Sequence, residues 1–212
     1  MTSTPDITLI GGGIIGLLTA RELIKAGACV SIIEKNELGQ ESSWAGGGIL
    51  LPLYPWRQAD AITRLVLQSL KLYPALASQL SAETSIDPEW TPCGLLIAKN
   101  PDFTAAVNWC DANDILCQPA DAGFFDTLNT LPDRPLWLPE IAQARNPRLV
   151  KSLKQDLINK GATLIEHCEL TSISLNNNVI TAINTTSGRF PVNQLIISAG
   201  AWTGRLFRQF FP

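Results

Sequence analysis

Histidine is almost missing from this chain: His167 is the only one among 212 residues. A zinc site of the His/Cys kind therefore has few ligands to draw on, and no mechanism that needs two histidines is open to the chain. A Ser-His-Asp triad built on His167 would lack the GxSxG elbow that carries such a serine. The five cysteines, Cys29, Cys93, Cys110, Cys117 and Cys168, are odd in number, and no pair has CxxC spacing. They read mostly as small buried hydrophobes in a reducing compartment. Charge is sparse too, with 17% charged residues, a net charge of −3 and a pI near 5.2. No basic field exists to attract nucleic acid. No apolar run approaches the roughly 18 residues that would span a bilayer. Residues 7–20 are apolar enough to imitate a signal peptide, but no Lys or Arg precedes them and Gly11, Gly12 and Gly13 interrupt them. The expectation is a cytoplasmic protein without a membrane partner. A hydrophobic fraction of 46% excludes disorder, and the length suits one domain, or one plus a small insertion.

What is present reads first as a βαβ unit. Ile7-Thr8-Leu9-Ile10 is a short apolar strand ended by glycines, and residues 14–26 carry a helical apolar face with Arg21, Glu22 and Lys25 as polar positions. Gly27 is placed to cap that helix, and a second strand, 29–33, ends at Glu34. A long Gly/Ser/Pro-rich loop over 35–56 follows. Residues 59–80 read as a helix interrupted or bent near Pro74, 95–98 as a strand, 103–113 as a helix, and 114–134 as irregular. The spacing predicts a clear helix over 147–160, with Gly161 at its end. Strand candidates are 163–167, 170–174, 179–185 and 194–198, with turns at 176–178 and 187–188.

Gly11-x-Gly13-x-x-Gly16 lies between the first strand and the first helix. Gly11 permits a tight turn, Gly13 lets the backbone approach a pyrophosphate, and Gly16 lets helix and strand pack closely. The helix N-terminus then offers free N–H groups to phosphate. Glu34 follows about 20 residues on, where a carboxylate accepts hydrogen bonds from an adenosine ribose and disfavours a 2′-phosphate. Ser42-Ser43-Trp44-Ala45-Gly46-Gly47-Gly48 can wrap the longer flavin cofactor, its hydroxyls donating to phosphate; read by composition alone it is equally a surface loop. The strand 194–198 running into Ala199-Gly200-Ala201-Trp202 can rejoin the first sheet, or be an ordinary buried strand with a tight turn. Trp44, Trp56 and Trp202 are candidates to face a ring, although indoles are more often core.

The glycine run, Glu34, the loop ESSWAGGGILLPLYPW (41–56) and the closing IISAGAW (196–202) together resemble the D-amino-acid oxidase family. Within it, ESSWAGGG with PLYPW, GLLIA (94–98) and ARNPRLVKSL (144–153) are similar to the glycine oxidases of thiamine biosynthesis. The resemblance runs along nearly the whole chain. It implies an α/β fold: a Rossmann-like FAD-binding domain over 1–84 and 147–212, with part of an antiparallel substrate domain, 85–146, inserted. It implies FAD as cofactor and oxidative deamination of glycine, or of a small amine or amino acid, to an imine with release of hydrogen peroxide. By the same resemblance, Gly11, Gly13, Ile14, Gly16, Glu34, Lys35, Ser42, Ser43, Ala45, Gly46 and Gly48 would contact FAD. The backbone of Leu170 would hold the adenine, and Ala199, Gly200 and Trp202 would lie along the cofactor. No metal is implied and no catalytic residue is assigned.

Family members continue well past Pro212, and the groups that bind the substrate carboxylate are expected there. Arg205 and Arg208 match no motif position for that role. The expectation is therefore a chain incomplete for catalysis, forming a homo-oligomer or paired with a partner that supplies the missing part. The terminal apolar residues Leu206, Phe207, Phe210 and Phe211 would make its surface adhesive. The rival readings are a nucleotide-binding fragment without catalysis, and an NAD-dependent dehydrogenase, for which no proton-transfer constellation is recognisable.

Overall fold

The computed structural model describes residues 4–126, 128 and 132–210. In chain order the elements are β1 (Ile7–Ile10), α1 (Ile14–Lys25), β2 (Val30–Ile33), α2 (Ser42–Ala45), α3 (Asp60–Thr84), β3 (Leu95–Ile97), α4 (Phe103–Ala112), β4 (Gln118–Pro119) and β5 (Leu136–Leu138). They continue with α5 (Asn146–Asn159), β6 (Thr163–Ile165), β7 (Leu170–Asn176), β8 (Val179–Thr185), β9 (Gly188–Pro191), β10 (Gln194–Ile197) and α6 (Thr203–Phe210). The chain divides into two compact units: Met1–Gly46, Gln79–Pro88 and Asn146–Pro212 form the first, Gly47–Ser78 and Glu89–Arg145 the second. The division at residues 84 and 146 expected from the resemblance differs from this one, because residues 47–78 group with the second unit.

In the first unit, a parallel sheet runs in the order β10-β1-β2-β6. All four residues of β1 and all four of β2 are buried, as expected of central parallel strands covered on both faces. Helix α1 makes the crossover between them and packs against α5. It ends at Gly27, whose φ of +93° is left-handed and whose N–H bonds the Ile24 carbonyl. The chain runs outward from β1 through β2 to β6 on one side, and β10 returns to pair with β1 on the other, so the strand order reverses at β1. The carboxyl end of β1 is thus a topological switch point, where ligands of such sheets bind. The antiparallel meander β7-β8-β9 turns at Asn177 and Asn178, both left-handed. Ile10, Ile33, Cys168, Leu170, Ile183 and Val192 form one core cluster there.

Arg21, read from the sequence as a polar position of this helix, is only 1% exposed. Its Nε donates to the Asp156 Oδ2 at 3.0 Å, and its Nη2 donates to the Gln79 Oε1 at 3.1 Å. Lys160 pairs with the same aspartate. An ion network therefore joins α1, α5 and the last turns of α3.

The second unit holds the antiparallel sheet β3-β5-β4 on a core of Leu51, Ile97, Ala106, Cys110, Leu136, Leu138 and Ile141. The PLYPW stretch builds a local cluster within it. The Tyr54 and Trp56 rings meet edge-on at 5.6 Å, Arg57 lies 4.5 Å over the Tyr54 ring, and the Trp56 indole N–H donates to Asp102 at 3.3 Å.

Several expectations need correction. Of the two expectations at Pro74, interruption is overturned: α3 continues through it as one helix, since proline removes one donor but does not by itself end a long helix. Strands β5 and β9 and helix α6 arise where no element was expected; β5 and β9 are short and take their order from neighbours distant or adjacent in the sheet. Only Cys110 and Cys168 of the five cysteines are buried, while Cys29 and Cys93 are exposed. Burial, with the Cys117 thiol beside it, pushes the Cys110 thiol up to about 12. At the chain end, Phe207 is exposed, but Leu206 and Phe210 pack against the first unit's core. Phe211 lies outside the described residues.

Candidate dinucleotide site

A cavity of about 700 Å³ opens at the carboxyl end of β1. Its floor is the glycine turn. Gly11 has a φ of +106°, and its N–H bonds the Ile33 carbonyl at 2.9 Å. A Cβ on Gly11 would lie 2.5 Å from the Ser198 carbonyl oxygen, and one on Gly16 would lie 2.1 Å from the Gly11 oxygen. Both glycines are needed for α1, β1 and β10 to approach one another. Gly13 is different: a Cβ there would meet only the Ser43 hydroxyl, at 3.2 Å. Its missing side chain leaves room for something else.

The first turn of α1 carries N–H groups that have no partner inside the helix. Ser43 takes one of them, its Oγ accepting from the Ile14 N–H at 2.9 Å. That leaves the hydroxyl proton available to an anion bound at the helix end. Glu34 spans the other side. One carboxylate oxygen accepts the Gly12 N–H at 2.8 Å, and the other accepts the Asn36 N–H at 3.0 Å. Each oxygen keeps a lone pair, so the carboxylate both orders the glycine turn and can still receive hydroxyl donors. Across the cavity, Ser198 Oγ donates to the Gly11 carbonyl at 2.9 Å and ties the end of β10 to the turn. Lys35 Nζ sits 4.4 Å over the Trp202 ring. Lys35 and Arg205 are the lining cations, and Glu34, Glu37, Glu41 and Glu169 the lining carboxylates.

Of the residues expected from the sequence, Gly11, Gly13, Ile14, Glu34, Lys35, Ser42, Ser43, Leu170, Ala199, Gly200 and Trp202 line this one cavity. Gly16 stands behind it as a packing residue. Ala45 and Gly46 lie at the end of α2, where a Cβ on Gly46 would strike the Asn146 amide at 2.4 Å. Gly48 falls in the second unit. Sequence reasoning missed Cys168 and Glu169, which flank Leu170, and Thr203, Arg205, Leu206 and Gln209 on α6. The helical spacing of those four positions was the available signal.

Residues 6–212 fit the family described as FAD dependent oxidoreductase. The chain belongs to that family. The glycine oxidase of Pseudomonas putida is 37% identical over 208 residues, which cover 96% of this chain and 57% of that protein. The bifunctional protein ThiO/ThiG of Synechocystis is 27% identical over 97% of this chain and 31% of its own length. Among solved structures, the glycine oxidase of Geobacillus kaustophilus superposes with a TM-score of 0.86 at 27% identity, over 98% of this chain and 58% of that one. The chain thus spans somewhat over half the length of the glycine oxidases it matches. The site fits the cofactor of this FAD family: a glycine turn open at Gly13, a helix N-terminus with Ser43 beside it, and a carboxylate, Glu34, whose oxygens can still accept hydroxyl donors. Among the described residues there is no group of three or more potential metal ligands, and no helix is long and apolar enough to cross a membrane.

Proposed function

We propose that this chain is the cofactor-binding part of a flavin-dependent oxidase that deaminates glycine, or another small amine or amino acid, to an imine with release of hydrogen peroxide. The cavity at the β1 switch point carries the reading. Its α1 N-terminus and Ser43 hydroxyl would hold a pyrophosphate, and its Glu34 carboxylate a ribose. Bound FAD would supply the two-electron acceptor that amine oxidation needs, with oxygen restoring it. The chain's own residues act on binding and orientation. The Ile14 N–H and Ser43 order the phosphate end, Glu34 receives the ribose hydroxyls and excludes a 2′-phosphate, and Lys35 and Arg205 offset the phosphate charge. We place this chemistry in the cytoplasm.

Orientation of substrate over a cofactor can supply several kcal/mol of barrier lowering. The glycine oxidases it matches extend well beyond the part aligned here, and we assign the amine-orienting groups to such a region, supplied by a second copy, a partner or a longer chain. The chain alone should retain FAD yet release no peroxide from glycine, sarcosine or D-alanine. The test is the visible spectrum after incubation with FAD and desalting, followed by a peroxide assay. A colourless protein would overturn the cofactor assignment. Peroxide release at about 1 per second or faster, an ordinary enzymatic rate, would show that the amine site is built from residues of this chain.

A second reading, a nucleotide-binding subunit without catalysis, is favoured by the 57% coverage of the Pseudomonas putida relative. It separates from the first if the relative's remaining part, added in trans, restores no turnover.

A further inference from the structure

The segment between β2 and α2 frames the cavity through Lys35, Glu37, Gly39, Gln40 and Glu41, yet what holds this segment lies outside the cavity. Glu166, just past β6, accepts the Leu38 N–H at 2.7 Å. Lys154 on α5 donates to both oxygens of the same carboxylate, each at 2.7 Å. Burial alone would raise the Glu166 carboxyl, but Lys154 and the Leu38 amide outweigh it and hold it below the usual carboxylate range. The next residue sits on α5 as well: a Cβ on Gly39 would lie 1.8 Å from a Val150 methyl.

The segment in turn sets the glycine turn. The Gly39 N–H donates to the Gly12 carbonyl at 2.8 Å, and the Leu38 side chain occupies the space that a Cβ on Gly12 would fill, 2.0 Å away. Gly12 is thereby gripped at both ends, since Glu34 holds its N–H. A trans peptide is planar, with its N–H opposed to its C=O. Fixing the Gly12 carbonyl toward Gly39 therefore fixes the Gly13 N–H in the opposite direction. Gly13 is the glycine whose open side faces the anion position.

We propose that Glu166 is a positioning residue for the dinucleotide: through the Leu38 amide it holds the segment whose Gly39 N–H orients the Gly12–Gly13 peptide that meets the pyrophosphate. This deepens the cofactor reading and rests on it. The acceptor is the essential feature, and the charge is secondary. Glu166→Gln keeps an oxygen for the Leu38 N–H, Lys154→Met keeps the carboxylate, and Glu166→Ala keeps neither the acceptor nor the ion pair.

The experiment combines amide hydrogen exchange of the unliganded chain with equilibrium titration of FAD and ADP. In Glu166→Ala the Leu38 and Gly39 amides should exchange about tenfold faster, as for loss of a hydrogen bond to a charged group. FAD and ADP should each bind about tenfold more weakly. Glu166→Gln and Lys154→Met should stay within about threefold of the unsubstituted chain. If Glu166→Ala does not fold, Glu166→Leu, which keeps volume without an acceptor, repeats the test. Affinity lost equally in Glu166→Gln, with faster exchange throughout the chain, would overturn the proposal in favour of a general stabilising ion pair. Faster exchange at Leu38 and Gly39 with unchanged affinity would overturn it as well. Failure of the unsubstituted chain to bind FAD would count against the cofactor reading, while the exchange arm still decides whether Glu166 holds the segment.

Discussion

Adding a side chain to Gly13 and adding one to Gly16 should produce opposite phenotypes, although both glycines belong to one motif. At Gly16 the new Cβ lies 2.1 Å from the Gly11 carbonyl oxygen and 2.8 Å from Ser198 Oγ. Ordinary contact begins beyond about 3.5 Å, so the oxygen would have to retreat by more than an ångström. It is a backbone atom in a turn already tied to the Ile33 carbonyl and to Ser198, and it cannot move without parting α1 from β1 and β10. Overpacking of this kind costs about 1–3 kcal/mol or more, and the backbone obstacle puts Gly16→Ala at the upper end. Gly13 has φ −72° and ψ 178°, which any residue adopts, and its Cβ would meet only the Ser43 hydroxyl at 3.2 Å, a side-chain contact that a shift of a few tenths of an ångström relieves. Gly13→Val should therefore cost less folding stability than Gly16→Ala, about 1 kcal/mol or below, since only a side-chain hydroxyl has to give. It fills the space that a pyrophosphate needs, so FAD affinity should fall tenfold or more, about 1.4 kcal/mol upward. Urea unfolding and FAD titration on both variants give four numbers. Equal stability losses for the two variants, or undiminished FAD binding by Gly13→Val, would refute the division of labour between the two glycines.

Two further outcomes follow from the same geometry. Glu34→Gln should weaken FAD and ADP binding by about 1.5–3 kcal/mol, because the amide offers one acceptor where Gly12 and Asn36 present two donors. Paired titrations with FAD, ADP and FMN check this, and since the turn itself is disturbed FMN should weaken too, though less; equal affinities for all three before and after substitution would contradict it. Arg21→Met should destabilise the first unit by about 3 kcal/mol, the lower end for breaking a buried pair, since Lys160 still neutralises Asp156. Chemical denaturation measures this, and a loss below about 1 kcal/mol would mean that the network is no stronger than a surface pair.

Much of this chain could be read from local order alone. A short, mostly apolar strand, a glycine turn, a helix with one apolar face and a second strand are all specified within a short stretch of sequence, because each depends on neighbours a few residues away. For the same reason Glu34 could be placed at the end of β2, and 194–198 recognised as a strand able to rejoin the sheet. The tertiary structure decided what depends on partners far along the chain. Arg21 could be read only as a polar position, because helical periodicity cannot show that Asp156, on another helix, will meet it in the core. Ser43 could be singled out from the composition of its loop, but its hydrogen bond to the Ile14 amide exists only once α2 lies at the start of α1. Residues 47–78 follow the cofactor segment in sequence yet pack with the second unit, since contiguity does not determine which core an apolar face joins. Glu166 carries no motif at all; its link to Leu38 is made across 128 positions of the chain, and a hydrogen bond at that separation is set by the packing of β6 and α5, which no local pattern records.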